Sequence, residues 1–187
     1  VLDVTVITNV VLVRRQADQL SFDAHKGNIM PINASQLRLS IIRPVLQNLG
    51  LWSQAAENLL MGTAAQESGL GTYVEQLGGG PARGIFQMEP ATLNDCYVNF
   101  LDYRADLKAK IDAYLAPQPD KATQLATNNA YAAAMCRVRY MRVSAPLPDA
   151  SDIAGLAAYW KQYYNTAGGK GETDEFVANY NRYVGNS

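Results

Sequence analysis

From residue 35 onward the apolar residues recur with a helical period, and glycine and proline cut that period into short runs. Ser35 stands as an N-cap before Leu37, Ile41, Ile42, Val45 and Leu49, and Gly50 ends that run. Pro44 inside it implies a kink or an early break. Ser53 caps a second helix whose inward stripe is Ala56, Leu59, Leu60, Thr63 and Ala64 and whose stop is Gly69. A third helix reads from Pro90 to Tyr103, with Leu93, Tyr97, Phe100 and Leu101 inward. A fourth reads from Asp106 to Leu115, closed by Pro117 and Pro119. Lys121 to Tyr140 reads as one long Ala-rich helix, in which Ala130, Ala133, Ala134 and Met135 allow close packing. After Pro146 and Pro148, Asp149 or Ser151 caps a helix with the stripe Ile153, Leu156, Ala157, Trp160 and Tyr164. Thr173 caps the last, with Asp174 and Glu175 in its first turn and Phe176, Val177, Tyr180 and Val184 inward. The fold class is therefore mainly α, a domain of six to eight helices without internal repeats.

Residues 2–13 break this pattern. They are β-branched and partly alternating, and read as one or two short strands; Arg14 to Asn33 is polar and reads as loop. The expected organisation is an N-terminal arm or linker with a short β element over 1–33, then a helical domain over 34–187. A lone strand needs a partner, so the arm suits docking or self-association. The formal net charge of -1 provides no basic field for nucleic acid. No stretch has the length and apolarity of a membrane span. The chain begins at Val1 rather than at a methionine, and no stretch reads as a signal peptide. Cys96 and Cys136 lack zinc-ligand spacing and read as small core residues rather than a disulfide scaffold. His25 is the sole histidine and lies far from the other motifs, which argues against a Ser-His-Asp or Cys-His centre.

Glu67 lies four residues after Thr63 and seven after Leu60, so it falls on the inward stripe of its helix. Apolar surroundings and the negative end of the helix dipole both favour its neutral form. A carboxylic acid held protonated near neutral pH is what general-acid catalysis needs. The plainer reading is a glutamate turned outward at a fraying helix end. The following segment, 68–86, holds six glycines, which let backbone approach a ligand closely. Gly78-Gly79-Gly80 lacks the Walker pattern and a following lysine, which sets it apart from a phosphate cradle. Eleven tyrosines against four phenylalanines suit a sugar-binding groove and equally suit half-buried positions.

Three stretches stand together: Glu67-Ser68-Gly69; the run from Ala82 through Gly84-Ile85-Phe86-Gln87-Met88 to Pro90-Ala91-Thr92; and Tyr163-Tyr164-Asn165 before glycines. Over roughly residues 36–185 the chain resembles the soluble lytic transglycosylase family of the lysozyme-like superfamily. In that family a helix ends in Glu-Ser, a Gly-Leu-Met-Gln segment runs into Met-Pro-Ala-Thr, and an Ala-Tyr-Asn motif comes late. The resemblance implies a lysozyme-like fold and Glu67 as the single catalytic acid. It implies that Ser68 orders the acid or the substrate, and that Gly84, Phe86 and Gln87 line the glycan groove, with Ile85-Phe86 replacing Leu-Met. It further implies that Tyr164 hydrogen-bonds the acid, with Asn165 beside it. Here the chain reads Tyr-Tyr-Asn-Thr, and Ala157-Ala158-Tyr159-Trp160 offers Tyr159 as the alternative equivalent. The implied reaction cleaves the β-1,4 bond between N-acetylmuramic acid and N-acetylglucosamine of peptidoglycan and closes a 1,6-anhydro ring, with no metal and no cofactor.

Two other readings stay open: a hydrolytic lysozyme or endolysin, and a glycan-binding or virion-structural module without turnover. A hydrolase needs a base for water, for which Glu75, Glu89 and Asp95 are candidates. Glu75 sits in the loop where an inverting lysozyme would hold such a base, with a solvated loop charge as the preferred reading, whereas Glu89 suits the helix N-terminus at Pro90. Ser68 has a plain structural reading as a helix-end residue bonding backbone. The segment 159–166, followed by Gly-Lys-Gly and the Phe-Val-x-Asn-Tyr helix, is similar to bacteriophage versions of the domain. That implies action at the bacterial cell wall or periplasm by a phage-encoded, virion-associated protein made in the host cytoplasm, with the N-terminal arm as its docking element.

Overall fold

The chain divides into two units, Val1–Met30 and Pro31–Ser187. The computed structural model describes residues 31–165, 169 and 171–185, all of the second unit. The strands expected over 2–13, most of the expected 14–33 loop, and His25 lie outside these residues. Ile32 already donates its N–H to the Leu70 carbonyl at 2.9 Å.

The described residues form eight helices and no strand. Helix α1 is composite: Ala34–Gln36, a π-helical stretch Leu37–Ile42, and Arg43–Leu49. Then come α2 (Gln54–Ser68), α3 (Pro90–Val98), a 3₁₀ turn (Leu101–Tyr103), α4 (Ala105–Asp112), α5 (Lys121–Thr127) and α6 (Asn129–Met141). Helix α7 (Ile153–Trp160) runs on as a π-helical end, Lys161–Asn165, and α8 (Thr173–Tyr183) closes the domain. The mainly α reading therefore holds.

Several boundaries differ from the sequence reading. Asn33, not Ser35, caps α1, its side chain accepting from the Gln36 N–H. Pro44 does not break α1. The wider π turns just ahead of it shift the hydrogen-bond register, and the Arg43 N–H reaches Arg38, so the proline is accommodated. The predicted Lys121–Tyr140 helix is two helices. Asn128 leaves the helical region and caps α6 by accepting from the Tyr131 N–H, the local competition short polar side chains offer. Helix α3 stops at Val98, and Phe100 reaches the core from the turn that follows and Leu101 from the 3₁₀ segment. Asp152, rather than Asp149 or Ser151, caps α7, and Glu172 with Glu175 forms a capping box where Thr173 was the expected cap.

Helix α2 is the central element. Its residues Ala56, Leu59, Leu60, Thr63 and Ala64 are buried, as the periodicity predicts, and Met61 and Ala65, off that stripe, are buried too. Its N-terminal half is fixed to α1 by Glu57, which is fully buried and accepts from Arg38, Arg43 and Trp52. Burial pushes this carboxyl up, but the hydrogen bonds from Arg43, Trp52 and Arg38 outweigh it and hold Glu57 at about 2. At mid-helix, Gly62 lets α8 approach, because a Cβ there would lie 2.2 Å from Phe176 Cζ. Cys96 and Cys136 are buried free thiols.

Substituting Gly62→Ala gains at most about 1 kcal/mol of helix preference. It forces the Phe176 ring out of place, and overpacking of this kind costs about 1–3 kcal/mol. The expected result is a lower denaturant midpoint with unchanged slope, partly recovered by adding Phe176→Leu.

Candidate active site around Glu67

Glu67 lies in the last turn of α2. Gly69, at φ 57, takes the left-handed position that ends the helix, and Leu70 follows at φ 53. A left-handed leucine is uncommon and is retained here by burial and by its N–H bond to the Ala64 carbonyl at 3.0 Å. The chain thus turns sharply just after Glu67, which leaves the carboxyl at the edge of the core rather than frayed into water.

Glu67 lines a cavity of about 720 Å³. Its wall includes Tyr73, Gln76 and Leu77 from the glycine-rich loop, and Gln87, Met88, Glu89 and Thr92 around the start of α3. Arg139 of α6 and Tyr164 and Asn165 of the π end of α7 complete the polar side. Trp160 donates its indole N–H to Glu67 Oε1 at 2.9 Å. Burial raises the Glu67 pKa to about 7, the Trp160 hydrogen bond opposing it in part. No salt bridge involves Glu67 among the described residues. The geometry leaves Oε2 as the oxygen not engaged by the indole. A neutral carboxyl with one oxygen pinned can present its proton from the other.

The remaining motif residues hold backbone. Ser68 is fully buried and donates to the Ile85 carbonyl at 2.7 Å, while its Oγ accepts the Gly71 N–H at 2.8 Å. Tyr164 donates to the Phe86 carbonyl at 2.8 Å. Successive carbonyls of the Gly84–Met88 segment are thus clamped from two helix ends. Tyr164 is therefore not the residue that bonds the acid, and neither is Tyr159, whose hydroxyl donates to the Ala145 carbonyl at 3.0 Å. Phe86 is also corrected: its ring is 1% exposed and packs in the core, so it offers the cavity no surface. Gly84 is buried too, and a Cβ on it would lie 1.9 Å from the Leu125 carbonyl oxygen, so it admits a close backbone approach rather than a sugar. Gln87 does face the cavity. It sits at φ 45, and its amide donates to the Gly84 carbonyl at 2.8 Å. Asn165 lines the cavity while bonding the Gly171 carbonyl at 2.9 Å.

Among the other carboxylates, Glu75 is exposed and lies 3.7 Å from Arg83. Asp95 pairs with Arg142 and Asn99. Glu89 alone of these three lines the cavity. Trp160, Tyr73 and Arg139 were not singled out as site residues by the sequence. Only Trp160 left a usable signal: it is four residues before Tyr164 on one helical face, and a buried indole N–H requires an acceptor.

Comparison with protein-family models, with curated proteins and with solved structures gives no match.

The raised pKa has a stability consequence. The folded state holds the Glu67 proton more tightly than the unfolded chain. This contribution is full below about 4.5 and is lost as pH rises through about 7. Glu67→Gln, a neutral isostere, should match the parent protein near pH 4. Above pH 7 it should be more stable, by up to roughly 3 kcal/mol. Denaturant melts across pH 4–8 check this, and a constant difference would show that Glu67 titrates normally.

Proposed function

We propose that this protein is a peptidoglycan lytic transglycosylase with a lysozyme-like helical domain, and that Glu67 is its catalytic acid. The observation that carries the reading is the Glu67 carboxyl: desolvated, without a cationic partner among the described residues, pinned at Oε1 by Trp160, and in the wall of a polar cavity. The order of the Glu-Ser, Gly-x-x-Gln and Tyr-Asn elements supports the same reading.

In this mechanism protonated Glu67 donates to the glycosidic oxygen between N-acetylmuramic acid and N-acetylglucosamine. The C–O bond breaks and positive charge develops at the muramoyl C1 and ring oxygen. The Glu67 carboxylate then takes the proton of the sugar's own C6 hydroxyl as that oxygen bonds C1. The acid is restored and a 1,6-anhydro end is formed. The site needs a carboxyl that exchanges one proton twice near neutral pH, and a pKa of about 7 suits both steps. Gln87 and Asn165 provide amides along the cavity for the acetamido and hydroxyl groups of the glycan. In this reading the protein acts at the bacterial wall in a virion-associated or lytic role, and the resemblance of residues 159–166 and the following Phe-Val-x-Asn-Tyr helix to bacteriophage versions of the domain supports it.

One observation favours hydrolysis as a second reading: Glu89 shares the cavity with Glu67 and could activate water there. The products separate the two. Digestion of purified peptidoglycan should release 1,6-anhydro muropeptides, and Glu67→Gln should lower the rate by roughly 10²–10⁴. Reducing-end products that disappear in Glu89→Gln would instead establish the hydrolase. Binding without release by the parent protein would make the domain a glycan-binding module. The alkaline limb of kcat should fall with an apparent pKa near 7. In Trp160→Phe it should move upward while kcat drops, because the lost hydrogen bond favours the ionised acid.

A further inference from the structure

Arg139 lies in the last turn of α6 and lines the cavity that holds Glu67. It is half-buried, yet it makes no hydrogen bond or ion pair with any described residue. Arg137, two residues earlier, has a buried Nε without a hydrogen-bond partner but does not line the cavity. Arg142, one turn after Arg139, is engaged by Asp95 and lies beside Cys96. Asp95 feels the charge of Arg139 but is already held by Arg142 and Asn99. Glu89, in the same cavity wall, forms no ion pair with Arg139. The helix dipole favours a cation in this turn on any face, and so does not explain why this one points into the cavity. A half-buried guanidinium with unused donors suits a planar anion.

We propose that Arg139 is a specificity residue that recognises a carboxylate on the 3-O-lactyl branch of N-acetylmuramic acid. This rests on the glycan-cleaving reading above and deepens it. The carboxylate is either that of the bare lactyl group or one from the stem peptide attached to it. In this role Arg139 distinguishes peptidoglycan from neutral N-acetylglucosamine polymers, which fit the same amides but carry no anion. It touches the branch rather than the reacting atoms.

The test is binding to the full chain carrying Glu67→Gln, so that glycans are not consumed, with and without Arg139→Gln. Calorimetry uses three tetrasaccharides: alternating N-acetylglucosamine and N-acetylmuramic acid with free lactyl carboxylates, the same glycan bearing L-Ala–D-isoGlu, and tetra-N-acetylchitotetraose. The Arg139→Gln change should weaken the anionic glycans roughly tenfold and the neutral one less than twofold. Added salt should erase much of that difference. Arg139→Lys should retain the salt-dependent attraction with weaker affinity than Arg, which separates charge recognition from damage to the fold. A loss confined to the free-lactyl glycan assigns the lactyl carboxylate, a loss confined to the peptide-bearing glycan assigns the stem peptide, and a loss on both means that Arg139 takes whichever carboxylate the branch carries. Unchanged affinity for both anionic glycans, or an equal loss for chitotetraose, overturns the inference and leaves the function standing. No binding of any glycan by the Glu67→Gln protein overturns both.

Discussion

The constraint on which this domain turns is the fate of two glutamates in one helix. Glu57 and Glu67 sit at opposite ends of α2, and both are withdrawn from water. Glu57 meets Arg38, Arg43 and Trp52 and is held ionised, at about 2. Glu67 meets a single indole N–H and is left near 7. Side-chain chemistry is identical and desolvation raises both, so the difference is one of surroundings: charged donors outweigh burial at Glu57, and a single indole does not at Glu67. The first carboxyl fastens α1 to α2, and the second is free to exchange a proton.

Around that second carboxyl the packing is arranged from behind. Thr63 and Tyr140 share a hydrogen bond at 2.7 Å, the Tyr140 and Tyr164 rings lie 5.2 Å apart, and Trp160 packs on Phe176 at 5.4 Å. These contacts fix the indole that fixes Glu67. Ser68 and Tyr164 then hold the Ile85 and Phe86 carbonyls, which presents Gln87 to the cavity in a left-handed conformation that a free chain would seldom adopt. Ser68 and Tyr164, which a motif suggests are substrate ligands, thus spend their hydroxyls on holding backbone.

The division of labour between loops and helices follows from the same geometry. The acid, Trp160 and Arg139 project from helices whose positions are set by core packing. The glycine-rich loop contributes Tyr73, Gln76 and Leu77 to the opposite wall. Gly78 and Gly79 have positive φ and open space where a Cβ would stand, so their role is conformational and not steric. Gly84 is the reverse case, where the Leu125 carbonyl occupies the room a side chain would need.

The sequence by itself determined the helical class, the inward face of α2, its cap at Ser53 and its stop at Gly69, and it set an inward Glu67 beside an outward one. Each follows from a local rule of period, capping or left-handed preference acting within a few residues. Gln87 and Asn165, which line the cavity, came forward through the family resemblance and not through a local rule. What the sequence did not carry was every relation between residues distant in the chain. The indole that bonds Glu67 is 93 residues away, and the Tyr164 hydroxyl that bonds Phe86 is 78 away. No periodicity encodes such pairings, because they depend on how helices cross. The split at Asn128 and the π turns ahead of Pro44 escaped it for a related reason: there, helix preference competes with side-chain bonding and ring sterics at near-equal energy, and tertiary packing decides the outcome.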